Sequence, residues 1–382
     1  MPLSPFEHQP PRRILLICPQ RIGDVLLATP LARSLKKAWP EAELHFLVFK
    51  GTEGVLAGNP DIDRVIAFPQ RTDWREKVAQ FRELWRQYDL AVSTIATDRA
   101  RLYGWVGARF RIGFITDSEK GKTLLLDRWL KFDDRGTHTV TMGLRLTELL
   151  GIAPCYQVVP PAIAPDRRNA FFARLNSLTG QNYVVLHPSP KFAYKMWRQE
   201  GWVELAQWLQ QQGLRVVLTG GPDADERAYA DAIAQQVSAV NLAGDLLLAE
   251  TAELVVHAKL FVGPDTAVTH IAAAVGTPTI ALFGPSNPVK WGPWPKSWNR
   301  PESPWPWRGG GNQGNVRLIQ GQGDCVPCLL EGCNRHPGSS SVCLQQISSG
   351  TLIAAAQAIM TAQLGRFNGA SLSLASIAPS HR

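Results

Sequence analysis

Short apolar runs, each closed by glycine, proline or aspartate, alternate along this 382-residue chain with longer stretches in which apolar residues recur every three or four positions. The runs read as buried strands and the periodic stretches as helices. The first strand is Arg13–Cys18 (RILLIC), followed by a turn at residues 19–24 and a helix over residues 25–39. Strands at Glu43–Phe49, Arg64–Phe68 and residues 90–95 follow, with a short helix at residues 51–58 and an amphipathic one at residues 73–88 between them. A second series opens with a strand at residues 183–187 and continues through a helix at residues 202–212 and a strand at residues 215–219. It ends in residues 259–287, where a strand, a Gly-Pro-Asp-Thr turn, the alanine-rich helix Ala267–Val275 and the strand Thr279–Phe283 form one βαβ unit. Strands alternating with helices in both halves predict two parallel, doubly wound α/β sheets.

Between the halves, a helix at residues 138–150 stops at Gly151, and the proline-rich residues 154–165 make a linker. The predicted organisation is a disordered leader (1–12), a first domain (13–160), a second domain (161–345), a helix (350–366) crossing back to the first domain, and a disordered tail (367–382). No run reaches the ~18 apolar residues of a membrane span, and the polar, proline-rich start is unlike a signal peptide. These features predict a cytoplasmic protein.

Net charge is +8, and residues 1–165 hold 23 basic against 18 acidic residues. A spread basic surplus suits a phosphorylated substrate, an anionic membrane surface or a nucleic acid. With no aromatic-rich RNA-binding signature and no basic recognition helix, nucleic acid is disfavoured. Arg99, Arg101, Arg109 and Arg111 lie among aromatic residues, and Lys120, Lys122, Arg128 and Lys131 follow. Each reads singly as a solubilising charge and together as a lining for anionic groups. Gly121-Lys122-Thr123 imitates the end of a phosphate-binding loop, but Thr116 stands where the motif needs glycine.

In open α/β sheets ligands bind beyond the C-terminal strand ends, so the loops there carry the candidate chemistry. In the first half that loop holds Arg21, Gly23 and Asp24. In the second half Lys195 offers a point charge for phosphate and Asp225 or Glu226 an acceptor for ribose hydroxyls. The helix opening at Asp265, Thr266 and Ala267 offers free N–H groups and a positive dipole end. Read plainly, Asp24 and Asp265 are ordinary helix caps and His270 a packed core histidine. The coincidence of all these groups at strand ends favours a nucleotide-diphosphate site, and the absence of G-x-G-x-x-G argues against a hydride-transfer cofactor. Cys325, Cys328, Cys333 and Cys343 are spaced as a four-thiolate zinc site or as a reduced structural knot.

Residues 21–40 (RIGDVLLATPLARSLKKAWP), 57–66 (AGNPDIDRVI), 187–197 (HPSPKFAYKMW) and 262–288 (VGPDTAVTHIAAAVGTPTIALFGPSNP) resemble the ADP-heptose:lipopolysaccharide heptosyltransferases of glycosyltransferase family 9. The wording RIGDVLLATPL leans toward the heptosyltransferase III branch. The resemblance implies a GT-B architecture of two Rossmann-like domains facing a central cleft, and an inverting transfer of heptose from ADP-heptose to the lipopolysaccharide inner core. It needs no cofactor and has no nucleic-acid partner. By the same resemblance Asp24 is the catalytic base, Lys195 contacts the donor phosphates, Asp265, Thr266, Ala267 and His270 bind diphosphate and sugar, and Asp225 or Glu226 holds the ribose. Arg21, Gly23, Arg99, Arg101, Lys120 and Lys122 are then expected on the acceptor side, with the acceptor at the inner face of the membrane. Residues 291–311, rich in tryptophan and proline, fall outside the resemblance and read as packing surface or as a flap. Another nucleotide-sugar transferase, an epimerase, or a catalytically silent nucleotide-sugar-binding protein of envelope assembly are the competing readings.

Overall fold

The structure is a computed structural model, and it describes residues 5–6, 8–117, 123–178 and 180–374. In the first half, β1 (Arg13–Cys18), β2 (Glu43–Phe49), β3 (Arg64–Phe68), β4 (Tyr88–Ser93), β5 (Ala108–Ile115) and β6 (Arg128–Lys131) form one parallel sheet in the order β3-β2-β1-β4-β5-β6. In the second, β7 (Tyr183–Leu186), β8 (Arg215–Leu218), β9 (Ala239–Asn241), β10 (Leu260–Pro264), β11 (Thr279–Phe283), β12 (Gly311–Gln313) and β13 (Val316–Gln320) follow the order β12-β13-β11-β10-β7-β8-β9. All of its pairs are parallel except β12 with β13. Strand order reverses between β1 and β4 in one sheet and between β7 and β10 in the other. Those two points are where crevices open at strand ends.

The halves share a core. Val25, Leu26 and Leu31 of the first half cluster with Ile271, Ala274 and Trp294 of the second. The helices Ile22–Leu27 and Ala267–Val275, which follow the two switch-point strands, pack on each other. This arrangement is the GT-B architecture.

Several expectations need correction. The helix expected over residues 25–39 begins at Ile22 and is two helices, Ile22–Leu27 and Thr29–Ala38, because Pro30 starts the second. The stretch read only as an arginine cluster is the helix Asp98–Gly107 running straight into β5. Within the leader, Phe6 is held edge-on by Trp39 and Phe110. The C-terminal helix Ser349–Leu374 extends into the expected tail, and its packed turns (Leu352, Ala355, Ala356) lie in the second domain's core beside the Gln199–Gln211 helix, not on the first domain. No helix among the described residues is long and apolar enough to cross a membrane.

Candidate active site

The turn after β1 places Arg21 at the N-cap position of Ile22–Leu27, with Gly23 and Asp24 in the first helical turn. Asp24 is therefore not a cap. Burial pushes its carboxyl up to about 6, against the downward pull of Arg21, Lys290, a hydrogen bond from the Arg21 backbone, and Lys195. A carboxyl poised near neutrality suits proton transfer.

Facing it is the helix Ala267–Val275. Its cap is Thr266, whose hydroxyl accepts from the Thr269 N–H, which leaves Asp265 free for other partners. Lys195 Nζ lies 2.6 Å from Asp265 Oδ2, and the Ser286 hydroxyl donates to the same oxygen at 2.6 Å. His270 Nε2 stands 4.0 Å from Asp265 Oδ1, and its Nδ1 is buried without a partner. Burial would push the Asp265 carboxyl up, but Lys195, then His270 and Ser286, hold it below the usual carboxylate range. Burial also lowers His270, to about 4, so the ring is neutral at physiological pH. A Cβ on Gly23 would sit 3.6 Å from the His270 ring, so the first-domain loop and the second-domain cluster are in direct contact. Arg21 extends across as well, its guanidinium 5.0 Å from the centre of the Phe192 ring, three residues before Lys195.

Of the two acidic residues at the turn after β8, Glu226 is held against that turn. Its carboxylate accepts from the Gly221 N–H at 2.7 Å, and a Cβ at Gly221 would lie 2.6 Å from that carboxylate. Asp225 is exposed and its backbone N–H is taken by the Asp223 cap.

Of the expected acceptor residues, Arg101 is corrected. Its side chain is fully buried, bonded to the Phe114 carbonyl and paired with Asp98, so it braces the first domain from within. Arg99 is exposed, donating to the Gln70 carbonyl and lying over Phe49. Arg111 is committed to Asp127 through two parallel bonds of 2.8 and 2.9 Å. Lys120 and Lys122 lie outside the described residues.

Four of the five tryptophans in residues 291–311 serve as packing, and Trp307 is exposed. Trp294 is buried, 4.6 Å from His138 and stacked with Tyr156, while Trp291 and Trp298 flank the shared core and Trp305 is buried in a separate cluster. His138 and Asn287 pin the halves by bonds to the Gly292 and Arg135 carbonyls, and Thr139 donates to the Lys290 carbonyl. The four clustered cysteines are free thiols. Burial first, and then Cys328, Cys333 and Cys325, push Cys343 up to about 11. Among the described residues no three His, Cys, Asp or Glu side chains are arranged as metal ligands.

Lys290 escaped sequence reasoning. It lies three residues beyond the strand-end loop already singled out, and it pairs with Asp134 while its charge acts on Asp24. The signal was Asn287, an N-cap for the short helix Pro288–Trp291 that carries it.

Two domains joined at opposed switch points, with a poised carboxylate facing a cationic helix start, define a GT-B glycosyltransferase. The chain belongs to glycosyltransferase family 9 (heptosyltransferase), whose profile matches residues 78–302, a span holding Lys195, Asp265, Thr266, Ala267 and His270 but not Asp24. It is 32% identical over 285 residues to lipopolysaccharide heptosyltransferase 3 of Escherichia coli K12, covering 71% of this chain and 82% of the relative. Among solved structures it is similar to an Escherichia coli ADP-heptose lipopolysaccharide heptosyltransferase II (TM-score 0.70, 19% identity, 92% of this chain and 99% of that one). It is also similar to an Escherichia coli heptosyltransferase solved with ADP (TM-score 0.67, 20% identity, 91% and 99%).

Proposed function

We propose that this enzyme transfers heptose, with inversion, from ADP-L-glycero-D-manno-heptose to the inner core of lipopolysaccharide, in the manner of a heptosyltransferase 3. The observation that carries the reading is the placement of Asp24 against the cluster of Lys195, Asp265 and His270 across two directly packed helices. The likeness to lipopolysaccharide heptosyltransferase 3 supplies the sugar and the acceptor class.

In the proposed reaction an acceptor hydroxyl attacks the anomeric carbon from the face opposite the diphosphate. The new carbon–oxygen bond forms as the bond to the diphosphate breaks, ADP departs, and the hydroxyl proton passes to Asp24. Lys195 and the N–H groups at Thr266 and Ala267 meet the charge growing on the departing diphosphate, a stabilisation that fixed cations and dipoles supply without reorganising. Asp265 aligns the Lys195 ammonium, and Glu226 receives the ribose hydroxyls. Neutral His270 hydrogen-bonds the sugar through its unpartnered Nδ1. Arg21 and Arg99 face the acceptor, and the enzyme works at the membrane surface where that acceptor is presented.

The deciding experiment incubates the enzyme with ADP-heptose and a truncated core acceptor, following ADP release and the acceptor's mass. A gain of one heptose with stoichiometric ADP is expected. Transfer from UDP-sugars or ADP-mannose at equal rate would overturn the assignment of the sugar, and no transfer from any donor would overturn the whole reading.

A further inference from the structure

The outer face of the first domain carries large apolar side chains that none of the described residues covers. Trp74 is 69% exposed, Trp85 58% and Trp105 46%, with Val78 and Leu102 beside them. At 100° per residue, Trp74, Val78 and Trp85 fall within about 40° of one another on and just past the helix Trp74–Leu84. Leu102 and Trp105, three apart, make the outward ridge of Asp98–Gly107. The two helices pack side by side, joined by the Tyr103 hydroxyl on Gln80 and the edge contact of Phe81 with Tyr103. The two ridges therefore belong to one face. The core beneath contains first-domain residues alone, so the face lies away from the shared interface and the candidate active site.

The charges on this face have one sign to spare. Arg71, Arg75, Lys77, Arg82 and Arg86 alternate with the tryptophans, and arginine lies over two of the indoles, Arg75 at 5.3 Å from Trp74 and Arg86 at 5.9 Å from Trp85. The acids between them are occupied: Asp73 and Glu76 close a capping box, and Glu83 is held by Arg64. Exposed indoles flanked by arginine suit the boundary between headgroups and acyl chains, where the ring is half desolvated and the cation meets phosphate. A second copy of the same face would bring like charges together, which disfavours self-association.

We infer that the outer face of the helices Trp74–Leu84 and Asp98–Gly107 docks the enzyme on an anionic phospholipid bilayer, the indoles entering the interface and the arginines meeting lipid phosphate. The inference deepens the reading of a membrane-borne acceptor and names the surface that faces it. Its test needs neither donor nor acceptor. The full chain is floated with vesicles of phosphatidylethanolamine and phosphatidylglycerol, and separately with neutral phosphatidylcholine, at low and high salt. Binding to the anionic vesicles, weakened by salt, is expected. The triple variant Trp74→Ser, Trp85→Ser, Trp105→Ser should bind about tenfold more weakly or worse, given the area each indole buries. Trp307→Ser, an exposed indole of the second domain, should bind as wild type. Should the triple variant melt early, Arg75→Gln with Lys77→Gln and Arg82→Gln replaces it, with the same loss expected. Absence of binding to anionic vesicles, equal binding by both variant sets, or a concentration-dependent dimer that the triple variant abolishes would overturn the inference. Transfer to a soluble core fragment is measured alongside. Lost transfer with intact vesicle binding counts against the sugar-transfer reading alone, and intact transfer without vesicle binding against the docking face alone.

Discussion

Asp24 carries a functional demand and a stability penalty in the same carboxyl. Folding raises it to about 6 from an ordinary 3.8, with burial as the main cause. The folded state therefore binds the extra proton between roughly pH 4 and 6, and stability falls as pH rises through that window. Asp24→Asn should consequently stabilise the protein at pH 7.5 by about 1–3 kcal/mol and change nothing below pH 4, where both side chains are neutral. The same substitution should lower kcat by ~10²–10⁴-fold with ADP affinity nearly intact. Thermal melts at the two pH values and steady-state rates check both halves, and a variant that melts lower at pH 7.5 would contradict the account. The acidic limb of kcat/KM should lie near pH 6, and Lys290→Met, by removing a cation that acts on Asp24, should move it upward. An unmoved limb would exclude Lys290 from setting the base. Lys195→Met should fail differently, by weakened ADP binding in calorimetry and by lost stability, because Asp265 would stay buried without its 2.6 Å partner. Asp24, Lys195, Asp265 and His270 could be singled out in the sequence because each sits in the loop, or in the start of the helix, that follows a legible strand. For Lys290 the Asn287 cap marks only its helix, because its importance lies in proximity to a carboxylate of the other domain. Arg101 misled in the opposite direction: charge on an amphipathic stretch reads as surface, and only packing reveals a guanidinium spent on the Phe114 carbonyl.

Among the elements, the reading succeeded where apolar runs were pure and failed where chemistry interrupted them. RILLIC and TIALF became β1 and β11 at the expected residues. ARFRIGFI became β5, yet its arginines drew attention to charge and away from the alternation that makes it a strand. The crossing of the C-terminal helix could not be read at all, since an apolar face does not say which core it joins. Packing also fixes the loop that carries Lys195. The Trp197 indole is buried, donates to the Ile347 carbonyl at 2.8 Å, and has its own carbonyl held by the Tyr229 hydroxyl. A Cβ at Gly201 would come within 2.4 Å of that indole. Gly201→Ala must push Trp197 out of place, which should cost about 1–3 kcal/mol and weaken ADP binding together. Calorimetry and a melt on this one variant decide whether the loop is anchored there, and a stable variant with unchanged ADP affinity would show that it is not.

For the whole molecule, the two halves rest on buried neutral histidines. His138 accepts the Val140 N–H on Nδ1 and donates from Nε2 to the Gly292 carbonyl of the other half. His187 pairs with the Thr219 hydroxyl, and His270 lies at the centre of the site. Burial lowers all three from an ordinary 6.5, to about 3, 4 and 4. The unfolded chain therefore takes up protons below pH 6.5 that the folded chain refuses. Stability falls on acidification by up to about 1.4 kcal/mol per histidine for each pH unit. Asp24 acts in the opposite direction between pH 6 and 4, and burial raises Glu226 as well, but these are two groups against three. Between pH 7.5 and 5.5 the melting temperature should drop, and His187→Gln, which keeps a partner for Thr219 without a titrating ring, should make the drop shallower. A melting temperature that is flat over this range would mean that the histidines are not held neutral. The consequence reaches activity: the acid limb set by Asp24 falls where the interface between the halves begins to weaken. Rates must be taken well below the melting temperature at each pH, and a limb near 6 that persists there belongs to the base and not to the fold.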